Sequence, residues 1–213
     1  TSKGAPTDKT ITIQAGAGTT ANVTIKDANI STSSAAIKTE GKGDVNLNVE
    51  GTNTVAGGNK HAGVEKSNGG NLTVGSESGE GKLTANGEHG GAGIGGGASQ
   101  SGNDITITGG EIIANGGGEA AGIGGGVLGS GSDITITGGE VTANGGIFGA
   151  GIGGGGYNTD TGKRVDGSEI EPDTSGLYTT GKVERKRGDG TVLDIIVGTV
   201  EPPKSASAEE EPD

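Results

Sequence analysis

Four carboxylates stand out by their spacing. Asp104 and Asp133 are 29 residues apart, and so are Glu111 and Glu140. If the chain stacks with that period, the members of each pair lie about 4.8 Å apart, one strand spacing. Two like charges at that distance repel by about 1 kcal/mol in water. Either solvent screens them on a hydrated face, or a Ca²⁺ ion bridges them, since that cation takes hard oxygen ligands. Calcium at Asp104/Asp133 and Glu111/Glu140 is therefore one expectation, and no other cofactor is expected.

Other chemistry finds less support. Gly91, Gly93 and Gly96 match G-x-G-x-x-G, but a dinucleotide site needs a helix after that word and an acidic residue further on. Here the Gly-rich word recurs three times with no helical pattern following. A phosphate loop would need Gly-Lys-Ser/Thr, which is missing. His61 and His89, the two histidines, both precede turns and read as surface residues, and no nucleophile–base pair is evident. With no Lys or Arg between Lys82 and Lys163, nothing basic stands beside the carboxylates. The chain is expected not to be an enzyme. A net charge of −12 disfavours nucleic acid. Phe148 and Tyr157 flank the last AGIGGG word and form a candidate platform for a sugar ring.

The elements that must carry these residues follow from the repeat. Ile94, Ile123 and Ile152 recur in AGIGGG at 29-residue steps, and Asp104 and Asp133 each open DITITGG. A fixed period of this size marks a solenoid, whose repeats bury a core only by stacking. Within each unit the apolar residues alternate in short runs bounded by Gly or Asn, which is strand chemistry. Three strands per unit, DITIT, EVTAN and GAGIG, predict a triangular parallel β-helix, an all-β three-strand β-solenoid. Gly makes up 50 of 213 residues and hydrophobics only 28%. Such a composition favours disorder, but the periodicity overrides it, because each coil needs only a thin core.

Threading inward residues gives about five coils over 23–156. Val23, Ile30 and Ile37 serve the first, and Val45, Val55 and Val64 the second. Leu72, Leu83 and Ile94 serve the third, Ile105, Ile112 and Ile123 the fourth, and Ile134, Val141 and Ile152 the fifth. Residues 1–22 read as an extended segment with a lone strand at Ile11 and Ile13. Residues 157–200 read as an irregular segment and a β-hairpin that turns at Gly188-Asp189-Gly190. Residues 201–213 read as an acidic, linker-like tail. Asn86, Asn115 and Asn144 end successive second strands, where Asn tolerates a left-handed corner. Their amides are expected to form a structural ladder. Thr106, Thr108, Thr135 and Thr137 point outward, a flat array of the kind seen in ice-binding solenoids, or simply good strand residues. Gly93, Gly122 and Gly151 are expected to face outward as a smooth strip, suited to packing against another chain, or else to make tight corners within one solenoid.

The words GxITIxGGxVTAxGG and GAGIGGG, with the upstream NLNVEGTNTVAGG…HAGVEKSNGGNLTV, resemble a family of exported surface proteins of Gram-positive anaerobes. The resemblance covers roughly residues 20–156. It implies a right-handed, pectate-lyase-like β-helix that is secreted or held at the cell surface, and it implies carbohydrate binding. The chain begins at Thr1 and has no Cys, no Met and no stretch long enough to span a bilayer; it is expected to be the mature part of an exported protein, without membrane insertion. The leading functional expectation is a structural or adhesive solenoid whose copies join into a filament by strand addition. Ile11 and Ile13 at one end, Leu193, Ile195 and Val197 at the other, and the glycine strip would make the contacts. Polysaccharide binding assisted by Ca²⁺ is the alternative, and ice binding a third.

Overall fold

A computed structural model describes residues 4–157 and 163–202. The tail expected over 201–213 therefore lies almost wholly outside the described residues. Among the described residues every regular element is a strand, and no helix is long and apolar enough to cross a membrane.

The chain opens with β1 (Ile11–Ala15) and then winds through about five turns of three strands. The first turn is β2 (Thr20–Lys26), β3 (Asn29–Ser31) and β4 (Ile37–Gly41). The second is β5 (Asp44–Glu50), β6 (Thr52–Asn59) and β7 (Val64–Lys66). The third is β8 (Leu72–Gly75), β9 (Lys82–Glu88) and β10 (Ile94–Gly95). The fourth and fifth share one pattern: β11 (Gly102–Ile107), β12 (Glu111–Asn115) and β13 (Ile123–Gly124), then β14 (Gly131–Ile136), β15 (Glu140–Asn144) and β16 (Ile152–Gly153). A hairpin of β17 (Lys182–Lys186) and β18 (Val192–Val197) follows.

Equivalent strands pair in parallel and form three sheets. First strands make the order β14-β11-β8-β5-β2. Second strands make β15-β12-β9-β6-β3, extended by β17 and β18. Third strands make β1-β4-β7-β10-β13-β16. The segment 11–15 is thus not a lone strand. β1 pairs with β4, with Ile11 opposite Ile37, and Ile13 is buried. The solenoid begins there, ahead of the expected boundary at 23.

The core is a set of columns. The third-strand column runs Ile11, Ile37, Val64, Ile94, Ile123 and Ile152, in the expected register. Two other columns shift by two residues in the early coils. Val45 stacks on Ala21, while Val23 stacks on Leu47. Leu83 stacks on Asn53, while Val55 stacks on Ala85. A shift of two keeps the same face inward, so the apolar pattern alone could not detect it.

Asn53 is buried in an apolar column because its amide is fully used. It donates to the carbonyls of Glu50 and Lys82, at 2.8 and 3.1 Å, and accepts from the N–H of Ala28 at 2.9 Å. A buried amide is tolerated when its donors and acceptor are all paired.

Candidate functional site

The expected Asn ladder is present. Asn115 donates to Asn86 at 2.7 Å and Asn144 donates to Asn115 at 2.6 Å, with the three residues in strand register. None of the three has positive φ; of the four repeat carboxylates, Asp104 (φ 54°) and Asp133 (φ 53°) are left-handed. The pairing of β11 with β14 steps from Asn103–Ser132 to Ile105–Ile134, passing over both aspartates. Both interrupt the ladder at the same step without shifting its register, in a left-handed conformation that Asp adopts more readily than most residues. Both are exposed, and Asp133 accepts a bond from the Ser132 hydroxyl at 2.7 Å.

Glu111 and Glu140 do stack, but not alone. Lys82 precedes them in the column and Lys182, on β17, follows. Lys82 donates to Glu111, and the Lys182 ammonium lies 4.0 Å from Glu140. The order Lys-Glu-Glu-Lys sets a cation on each side of the pair, with Lys182 shared with Glu184 at 3.7 Å. Sequence reasoning missed this because Lys182 lies outside the 29-residue repeat. Among the described residues no three His, Cys, Asp or Glu side chains gather in a way that could hold a metal ion.

The glycine strip does not face outward. Gly93, Gly122 and Gly151 are buried. A Cβ on Gly93 would press on the backbones of Asn115 and Gly122, and one on Gly151 on Lys186. These glycines close a corner of their own solenoid, which takes them out of any contact with a second chain.

At the Phe148 and Tyr157 platform the two rings differ, Tyr157 being 37% exposed. Phe148 is half-buried, and the Arg164 guanidinium sits over its ring, 5.9 Å from the centroid, while also pairing with Glu119. The threonine array is partial. Thr73, Thr106 and Thr135 stack, but the same column continues as Asn46 and Asn22.

Hollows lie along the corners. A groove of about 900 Å³ follows the corner between the first- and second-strand sheets, bordered by Ser76, Glu77, Thr108, Glu111, Glu140 and Tyr178. A smaller cleft of about 420 Å³ is lined by Lys66, Asn68, Gln100, Asn103 and Asp104. Lys66 is 8% exposed and donates to the Asn68 carbonyl at 3.0 Å. Burial pushes its ammonium below the usual range, opposed by the charges of Asp104 and Asp44. No periodic signal marks Lys66, since the later coils carry no Lys at that step.

The two ends of the solenoid differ. At the C-terminal end, residues 163–181 run beneath the fifth turn. Ile170 and Asp173 donate to the carbonyls of Ile152 and Ile134, at 3.0 and 2.8 Å. The Glu169 carboxylate accepts the N–H groups of Gly151 and Ile152, at 2.8 and 3.4 Å. Burial pushes this carboxyl up, while those N–H groups and Arg185 pull it down. Leu177 and Val183 close the core. Arg185, 6% exposed, takes the place of the next inward Ala, opposite Ala143. It grips Asp194 with two nitrogens and so holds β18 against β17. That bond raises the guanidinium and holds the Asp194 carboxyl below its usual value.

β18 is then the outermost strand of its sheet and runs antiparallel to β17. It carries Val192, Ile195 and Val197, exposed at 44, 53 and 65%. Leu193 is half-buried at the irregular step in the pairing. At the other end β1 and β2 are outermost in their sheets, whereas the edge of β3 is taken by Thr7, which exchanges backbone bonds with Asn29 and Ser31. The chain matches no protein-family model, no curated protein sequence and no solved structure.

Proposed function

We propose that the chain is a non-catalytic, extracellular structural or adhesive rod whose copies join by strand addition into a cell-surface filament. One observation carries this reading. β18 ends its sheet with three exposed β-branched residues and, among the described residues, no further strand beside it. Natural sheets blunt such edges with charge, proline or a covering segment. In β18 the one charge, Asp194, is committed to Arg185. At the opposite end the seven-residue edge of β2 and the five-residue edge of β1 offer backbone groups for a second contact. The resemblance to exported β-helix surface proteins supports the extracellular placement. Sedimentation of the full chain over a wide concentration range tests the reading, together with negative-stain microscopy. Mass that rises with concentration supports it, and a monomer at every concentration refutes it.

Polysaccharide binding is the second reading, favoured by the corner groove. Its hydroxyls and carboxylates can bond sugar hydroxyls, and Tyr178 offers an aromatic face. Calcium is not needed to hold the groove's Glu111 and Glu140 together, because Lys82 and Lys182 already flank them.

A further inference from the structure

The direction of β18 decides how the C-terminal end meets a second copy. Resting on the self-association reading, we propose that this contact is a two-fold, tail-to-tail pairing of β18 with β18 of a second identical chain. It closes as a dimer, so that a filament grows from dimers and not from head-to-tail monomers.

Three observations carry it. First, a head-to-tail continuation of the second-strand sheet would set β18 against β3 of the next copy, and that edge is already occupied by Thr7. Second, the other two sheets end here in β14 and β16, and both outer edges are partly occupied, by Asp173 and Glu169, each through a single bridge. Among the described residues, the outer edge at this end without any such bridge belongs to β18. Third, the strand is complementary to itself. A strand and its copy about a two-fold axis normal to the sheet run antiparallel, and residues directly opposite share a face. Centring the axis on Ile195 sets that residue against its own copy and places Asp194 opposite Ile196. Centring it on Asp194 would oppose two carboxylates. The exposed face of β18 is Val192, Ile195 and Val197, so no like charges meet across the pairing. The contact is isologous, and such contacts close.

One six-residue strand buries less than the roughly 800 Å² per partner of a standard interface, so the dimer is expected to be weak and to form at high concentration. The chain has no cysteine, which makes a single-cysteine probe clean. Ile195→Cys in the full chain, under mild oxidation at high concentration, should give a covalent dimer at least tenfold faster than Ser78→Cys, an exposed position in the third turn. Ile195→Lys and Ile195→Glu should each be monomeric under conditions where the native chain dimerises, and their equimolar mixture should dimerise. Circular dichroism and melting of each variant check that the solenoid is intact. If the native chain associates but Ile195→Cys cross-links no faster than Ser78→Cys, the contact is not two-fold and the inference falls while self-association stands. If the native chain is monomeric at every concentration and no cross-link forms, both fall.

Discussion

Replacing Gly124 with Ala tests whether the glycine corner is closed by its own chain. On an exposed, unconstrained strand the change would stabilise by about 0.4–1 kcal/mol, because Ala narrows the unfolded ensemble. Here φ is +130°, a region nearly restricted to Gly, and a Cβ would overlap the carbonyl of Gly153 in the next coil. The backbone strain costs about 1–3 kcal/mol. Forcing a methyl group into a filled space costs about 1–3 kcal/mol more. The expected loss is therefore roughly 2–6 kcal/mol, opposite in sign to the open case. Gly79→Ala is the control. It also has positive φ, at +75°, but nothing lies within 4 Å of its Cβ, so only the left-handed cost of about 1–2 kcal/mol applies. Urea unfolding followed by circular dichroism reads both. Hydrogen exchange should place the added opening of Gly124→Ala in the fourth and fifth turns. A Gly124→Ala protein as stable as the native chain, or more so, would refute the closed corner.

Other expectations follow from the columns and the cap. Asn115→Ala removes the middle rung of the ladder and leaves Asn86 and Asn144 each short of a partner, at a cost of about 1–3 kcal/mol in urea unfolding. Chelator should leave the melting temperature of the native chain unchanged, whereas the double variant Lys82→Gln, Lys182→Gln should be stabilised by millimolar calcium; a native chain that melts lower with chelator would restore a bridging ion. Glu169 has its folded pKa raised above the ordinary 4.5 by burial. Its favourable contribution is complete below about 4.5 and is lost as pH rises through the folded value, so the native chain should lose stability on that rise. Glu169→Gln should flatten that part of the pH–stability curve, and an unchanged slope would assign it to another group.

The architecture was legible because the 29-residue words repeat where the side chains stack. Ile94, Ile123 and Ile152 fall in one column as spaced, and Asn86, Asn115 and Asn144 in another. The misreadings arose where the repeat carries no information. The early coils slip by two residues, which the alternation cannot distinguish, so Val23 and Val55 were set against the wrong neighbours. Glycine has no side chain to reveal its face, and Gly93, Gly122 and Gly151 proved buried. Asp104 and Asp133 read as ligands, yet the feature they share is a left-handed backbone. Arg185 and Lys182 could not be placed from spacing, because the capping hairpin belongs to no repeat. Tyr178, in the groove, likewise belongs to no repeat, and it lies ahead of β17 and not within the hairpin.

The near-congruence of the fourth and fifth turns makes the molecule a ruler with removable graduations. Cutting out residues 105–133 would join Asp104 to Ile134, a junction with the same local sequence as the two it replaces. Lys82 would then face Glu140, and Asn86 would bond Asn144, each taking over the partner that was removed. The rod would shorten by one strand spacing, about 4.8 Å, with its N-terminal coils unaltered and its cap losing one ion pair, because Gly90 would take the place of Glu119 beside Arg164. Tandem duplication of the same 29 residues would lengthen it by the same step. Length is thus a quantity that this chain can change by whole modules at the level of the gene, without redesigning either end.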